Sequence, residues 1–253
     1  MLARRLVVCL DVQNGRVVKG EQFVRLRDVG EPVDLATRYE CEGADEIVFL
    51  DIAATADDRA MLLDVARRTA ERLFIPLTLG GGIRSADDVA TALRFGADKV
   101  SINSAAVNRP AVLAESAKRF GSQCVVASID AKREGKSWRV YTRGGRTRTE
   151  LDAVGWARAC VAHGAGEILL TSIDRDGTRA GYDLELTRAV AAAVDVPVVA
   201  SGGAGSASDV CDVLDAGGAD AALVAGILHD ESTTVRDIKK LLAAHGLPVR
   251  SLA

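Results

Sequence analysis

Short apolar runs rich in β-branched residues alternate with longer amphipathic stretches along the whole chain. The apolar runs fall at 6–10, 47–52, 75–79, 100–103, 124–129, 168–172, 197–200 and 221–225. Short runs of this kind, bounded by turn residues, read as strands buried on both faces. Between them the spacing predicts helices near 33–43, 59–72, 86–95, 109–120, 151–163, 183–193, 206–216 and 233–245. Gly43, Gly96, Gly121, Gly164 and Gly246 follow helical stretches, where glycine suits a left-handed C-terminal cap. Eight strands alternating with eight helices in 253 residues is the count of a closed (β/α)8 TIM barrel. A doubly wound open sheet also alternates, but it does not explain the count.

The pattern repeats itself. Pro76, Gly81-Gly82 and Asp88-Val89 recur 121 positions later as Pro197, Gly202-Gly203 and Asp209-Val210. The turn Gly96-Ala97-Asp98 returns as Gly218-Ala219-Asp220, and GADEIVFLDI at 43–52 answers to GAGEILLTSI at 164–173. The chain therefore reads as one domain, 1–253, built from similar halves of roughly 1–121 and 122–253. Such a period is far too long for a solenoid. Each half carries a glycine turn between a strand and a helix, a place where freed N–H groups make an anion seat. A plain tight turn explains one copy; two related by the repeat suggest a ligand with two anionic ends.

Composition narrows the class. A hydrophobic fraction of 48%, a charged fraction of 26% and a net charge of −3 describe a soluble globular protein without a basic run for nucleic acid. No apolar run approaches the length needed to span a membrane, and the first strand breaks at Asp11 without a cleavage site. The five cysteines are scattered and read as reduced thiols of a cytoplasmic protein. No His/Cys cluster has metal-ligand spacing, so neither a metal nor a cofactor is expected.

A barrel carries its active site at the C-terminal ends of its strands. The polar residues there are Asp11, Asp51, Asn103, Asp130, Thr171 with Ser172, and Ser201. Asp11 and Asp130 end equivalent strands of the two halves, across the barrel from one another. Two facing carboxylates suit general acid and general base work. The long loop after the first strand reads as a lid, with Lys19 its best candidate for an anionic substrate. At the opposite mouth, Arg5, Glu46, Lys99 and Glu167 precede four strands. Spacing alone favours exposed charges of little energetic worth over a closed ring.

CLDV at 9–12, RVVKG at 16–20, LRDVGEPVDLA at 26–36, LGGGIRS at 79–85, DKVSINSAAV at 98–107, GAGEILLTSIDRDGTRAGYD at 164–183 and SGGAG at 201–205 carry a resemblance. Together they resemble the cyclase subunit of imidazole glycerol phosphate synthase, and the likeness spans essentially the whole chain. The resemblance implies a (β/α)8 barrel of histidine biosynthesis that pairs with a glutaminase as a heterodimer. It implies a lyase that uses the partner's ammonia to convert a bis-phosphorylated ribulosyl formimino-aminoimidazole carboxamide ribonucleotide into imidazole glycerol phosphate and aminoimidazole carboxamide ribonucleotide.

Carried over by motif, the catalytic aspartates fall on Asp11 and Asp130 and the mobile-loop lysine on Lys19. The phosphate positions fall on Gly82, Asn103 and Ser104, and on Gly203, Ala225 and Gly226; Thr171, Asp176 and Ser201 line the cavity. Arg5, Glu46, Lys99 and Glu167 match the gate for ammonia, and Asp98 a contact with the glutaminase. Gln13-Asn14, Ser104, Gly226, Arg143 and Glu150 depart from the family pattern. The sister isomerase of the pathway and a non-catalytic scaffold for a glutaminase are the rival readings. The RVVKG and LRDVGEP loop and the SINSAAV strand speak against the first, and the paired acids and glycine turns against the second.

Overall fold

The computed structural model describes residues 2–21, 24–52 and 56–251. In chain order the first strands are β1 (Arg5–Gln13), β2 (Arg16–Glu21), β3 (Val24–Gly30), β4 (Glu46–Asp51), β5 (Leu77–Gly80) and β6 (Lys99–Ile102). They continue with β7 (Val125–Glu134), β8 (Ser137–Thr142), β9 (Thr147–Asp152), β10 (Glu167–Ser172), β11 (Val198–Ser201) and β12 (Ala221–Val224). β1 pairs in parallel with β4 on one side and β12 on the other. The ladder runs on through β5, β6, β7, β10 and β11 and returns to β12. Eight parallel strands thus close the barrel that the element count predicts.

The helices are α1 (Pro32–Glu42), α2 (Ala56–Ala70), α3 (Ala86–Arg94), α4 (Ser104–Asn108) and α5 (Ala111–Phe120). After them come α6 (Ala153–Ala162), α7 (Leu184–Ala191), α8 (Ala207–Leu214), α9 (Gly226–His229) and α10 (Val235–Ala244). Eight are the outer helices expected from the sequence; α4 and α9 are short extra turns directly after β6 and β12. The starts of α3 and α8 repeat one device. Ser85 and Ser206 each accept the N–H of an aspartate three residues on, and Asp88 and Asp209 return the bond. Such a capping box satisfies orphan donors from both sides.

Two strand pairs were not expected. β2 and β3 form an antiparallel hairpin on the end of β1, where the sequence read as an irregular lid; its Gln22 and Phe23 lie outside the described residues. β8 and β9 form a matching hairpin on the end of β7. β8 buries every second residue, with Trp138, Val140 and Thr142 turned inward. β5 begins two residues later than expected, after Pro76, which has no N–H for the ladder.

The apolar interior is split in two. The larger cluster lies between the strands and their helices, around Leu6, Val8, Leu10, Ile47, Phe49, Leu79, Ile102 and Ile129. The smaller one fills the barrel and comprises Val7, Cys9, Val48, Val126, Leu169, Val199, Ala221 and Leu223. Even and odd positions of β1 sort between them because successive strand side chains point to opposite faces. The odd positions face the barrel axis.

Candidate active site

That alternation positions every polar group of interest. Arg5, Val7, Cys9 and Asp11 follow one another along the inner face of β1, so Arg5 and Asp11 stand about 20 Å apart at opposite mouths. Glu167, Leu169 and Thr171 do the same on β10, and Val126, Ser128 and Asp130 on β7. Register lays Asp130 beside Thr171 and Thr171 beside Ser201, which makes a continuous polar arc across β7, β10 and β11.

At the C-terminal mouth the carboxylates of Asp11, Asp130 and Asp176 have no ion-pair partner among the described residues. Asp11 is pushed up to about 7 by burial and by the nearby Asp176 carboxylate. Asp130 rises to about 6, chiefly through burial; the Asn103 amide, donating from Nδ2 to Oδ2 at 2.9 Å, holds it back, and Asp176 pushes it further up. Asp176 is itself raised by burial, partly offset by the Gly177 N–H. Three acids therefore share one apolar-floored mouth, and the Asp176 carboxylate disfavours ionisation of both Asp11 and Asp130. The oxygen of the same Asn103 amide, Oδ1, is buried with no hydrogen-bond partner. Among the described residues, no cluster of three or more His, Cys, Asp and Glu is arranged for a metal ion.

The two glycine turns sit on opposite sides of this mouth. Gly81-Gly82 follows β5, and Asn103-Ser104 follows its neighbour β6. Gly202-Gly203 follows β11, and Ala225-Gly226 follows its neighbour β12. The glycines are required. Gly81 and Gly202 have φ of 91° and 89°, and a Cβ on them would lie 2.4 Å from Asp51 O and 2.8 Å from Ser172 O. Asp51 and Ser172 are themselves 121 positions apart, so the two turns repeat down to the atom that restricts them.

Lys19, on β2, reaches the second turn: Nζ donates to Gly226 O at 3.2 Å and to Asp230 Oδ2 at 2.5 Å. Arg27 and Arg179 converge on the same Asp230 carboxylate. A Cβ at Gly226 would lie 3.2 Å from Lys19 Nζ, so the absence of a side chain there leaves room that the lysine uses. Asp230 and Arg179 were not foreseen, because their roles depend on a hairpin that the sequence did not reveal. Gln13 ends β1 paired with Arg16, and Asn14-Gly15 form the bend into β2, with Asn14 at φ 51°.

The N-terminal mouth is closed by the ring that spacing alone disfavoured. Arg5 Nη1 bonds Glu46 at 3.1 Å and Arg5 Nη2 bonds Glu167; Lys99 Nζ bonds Glu46 at 2.8 Å and Glu167 at 2.7 Å. Glu46 and Glu167 are only 3% and 4% exposed, so these are buried pairs rather than solvated charges. Thr78, missed in the sequence, donates its hydroxyl to the remaining oxygen of Glu46 at 2.6 Å. Asp98 is exposed at this end, and its carboxylate accepts the Leu77 N–H at 2.8 Å while its own N–H donates to Leu77 O at 2.8 Å. Asp45 and Asp220 make the same reciprocal bond to Leu6 and Val198.

Comparison with known proteins agrees with this architecture. A family model described as "Histidine biosynthesis protein" matches residues 5–234. The imidazole glycerol phosphate synthase subunit HisF of Myxococcus xanthus (strain DK1622) is 71% identical over 252 residues, covering 100% of both chains. The subunits HisF of two Dehalococcoides mccartyi strains, BAV1 and CBDB1, are each 56% identical over 250 residues, covering 99% of both chains. Likeness of this degree along the full length, on a closed (β/α)8 barrel, makes the chain a member of the histidine biosynthesis family and, within it, of the HisF subunits of imidazole glycerol phosphate synthase.

Proposed function

We propose that the chain is the ammonia-dependent cyclase of that synthase, a lyase that takes its ammonia from a glutaminase partner in the cytoplasm. The substrate is a ribulosyl formimino-aminoimidazole carboxamide ribonucleotide with a phosphate at each end. Its two phosphates sit at the two turns, one on Gly82, Asn103 and Ser104, the other on Gly203, Ala225 and Gly226. The central ribulosyl carbonyl then lies over Asp11, Asp130, Thr171, Asp176 and Ser201. What supports this reading is the pair of related glycine turns flanking two unpaired, raised carboxylates.

The acids divide the work by environment. Asn103 stabilises ionised Asp130, whereas Asp11 meets only the weak Cys9 thiol donor, at 4.0 Å, against burial and the Asp176 charge. Between pH 6 and 7, Asp130 is the ionised base and Asp11 the protonated acid. As ammonia attacks the carbonyl carbon, Asp11 donates its proton to the carbonyl oxygen and Asp130 accepts one from the incoming nitrogen. The same pair returns protons as water leaves to give the imine, as the ring closes and as the carboxamide ribonucleotide departs.

Ammonia enters through the N-terminal mouth, past Arg5, Glu46, Lys99 and Glu167, and crosses the apolar barrel interior. The glutaminase docks on that face, where Asp98 is exposed. Lys19 closes over the second phosphate. The test is turnover of the bis-phosphorylated ribonucleotide by the purified chain with a large excess of ammonium salt near pH 7, where part of Asp11 still holds its proton. Formation of both products is expected without the partner, and a folded chain that forms neither contradicts the proposal.

A further inference from the structure

The two hairpins extend the internal repeat to the anion turns. The first leaves β1 and reaches back to the turn after β12, the neighbour of β1; the second leaves β7 and reaches back to the turn after β6, the neighbour of β7. In the first, Lys19 meets Gly226, the first residue of α9. In the second, the Arg143 N–H donates to the hydroxyl of Ser104, the first residue of α4, at 3.0 Å. Gly226 and Ser104 are 122 positions apart, and Arg143 and Lys19 are 124 apart. Each hairpin thus brings one basic residue to one turn.

The cations of the second hairpin are divided by location. At its base Arg133 pairs with Glu185 and stacks on Trp138 with 4.6 Å to the ring centroid. Arg139 donates to Glu150 O, and Arg148 pairs with Glu134 and Glu150. At the tip, among the described residues, the guanidinium groups of Arg143 and Arg146 have no hydrogen-bond or ion-pair partner. Trp138 fixes the hairpin from below through its Nε1, which donates to Asp183 at 3.2 Å. Ser104 accepts from Arg143, so its own O–H proton is left to donate elsewhere. A fixed, positively charged tip next to a free hydroxyl proton fits an anion between them.

We propose that Arg143 holds the substrate phosphate at the Gly82, Asn103 and Ser104 turn, as the second-half counterpart of Lys19. This rests on the two-ended reading of the site. Arginine matches a phosphate with a planar, bidentate fork, so one side chain at an exposed tip gives both charge and direction. In the first hairpin Asp230 holds Lys19 in place. No acid does this for Arg143 among the described residues, and a bound phosphate would supply the missing counter-charge.

The experiment is a titration of the full chain with inorganic phosphate, followed by the amide NMR shifts of Gly82 and Ser104 for one turn and of Gly203 and Gly226 for the other. Arg143→Gly suits the backbone, since φ at this position is 56°. It is expected to weaken phosphate at the first turn about tenfold or more. The second turn, across the barrel mouth, changes by less than about twofold because salt screens a remote charge. Arg143→Lys keeps the charge and is expected to fall between wild type and Arg143→Gly. Unchanged affinity at the first turn, equal weakening at both, or a lysine variant no better than the glycine variant overturns the proposal alone. A wild-type chain in which phosphate moves the amides of fewer than two turns overturns the two-ended reading as well.

Discussion

The two mouths of the barrel are built from the same strands and the same inward-facing positions, yet they treat charge in opposite ways. At the N-terminal mouth each of Arg5, Glu46, Lys99 and Glu167 contacts both of its oppositely charged neighbours. At the C-terminal mouth Asp11, Asp130 and Asp176 lie near one another with the Asn103 amide donating to Asp130 and, among the described residues, no ion-pair partner. Complete pairing makes a buried charge inert, and incomplete pairing keeps a carboxylate close to its protonated form near neutral pH. One mouth is a ring of fully paired charges and the other holds raised carboxylates, and the difference lies in partners rather than in burial.

The contrast is broken most severely at the C-terminal mouth. Asp130→Asn and Asp11→Asn are each expected to lower turnover by about 10²–10⁴-fold, the usual worth of a positioned acid or base. Steady-state kinetics with ammonium salt measures it, and a loss of less than tenfold in either variant contradicts the assignment. Fold integrity is expected to survive, because asparagine keeps the shape and removes only a charge that the site disfavours.

The next effect is on stability and belongs to the charged ring. Glu167→Ala leaves Arg5 and Lys99 facing Glu46 alone, and breaking a buried pair costs about 3–5 kcal/mol. Urea unfolding should show that loss, whereas Glu150→Ala on the exposed hairpin should lose less than about 1 kcal/mol. Equal losses would mean that the ring is no more than a set of surface pairs.

A smaller effect follows from the raised Asp11. Its folded value near 7 lies above the ordinary 3.8, so the fold favours the protonated form. The contribution is fully present below pH 4 and is lost as pH rises through 7. Asp11→Asn should therefore melt near the wild-type temperature at pH 4 and a few degrees above it at pH 8. The smallest effect concerns Asn103. Asn103→Ala removes the donor that holds Asp130 down, and the acidic limb of the pH–rate profile should move up by about one unit.

Much of this contrast was legible in the sequence, and the rest was hidden for physical reasons. The eight buried strands announce themselves as apolar runs, and the glycine turns and capping boxes repeat at a fixed offset because the same local geometry is needed twice. Asp11 and Asp130 stand out because they end equivalent strands. The ring was harder to see: Arg5 and Glu167 are 162 positions apart, and only closure of the barrel brings them together. The alternation Arg5, Val7, Cys9, Asp11 was the available signal that Arg5 turns inward. The hairpins were missed because their strands interleave many charged residues with apolar ones, although Trp138, Val140 and Thr142 carry the period of two. Asp230 was invisible until the first hairpin laid Lys19 across α9.

The central claim is that the C-terminal mouth leaves the carboxylates of Asp11 and Asp130 raised and unequal. The most direct measurement is a carboxyl carbon NMR titration of Asp11 and Asp130 in the full chain. Apparent midpoints near 7 for Asp11 and near 6 for Asp130 are predicted, with the lower one rising in Asn103→Ala. Both midpoints near the ordinary 3.8, or a single unresolved step unmoved by Asn103→Ala, would contradict the account.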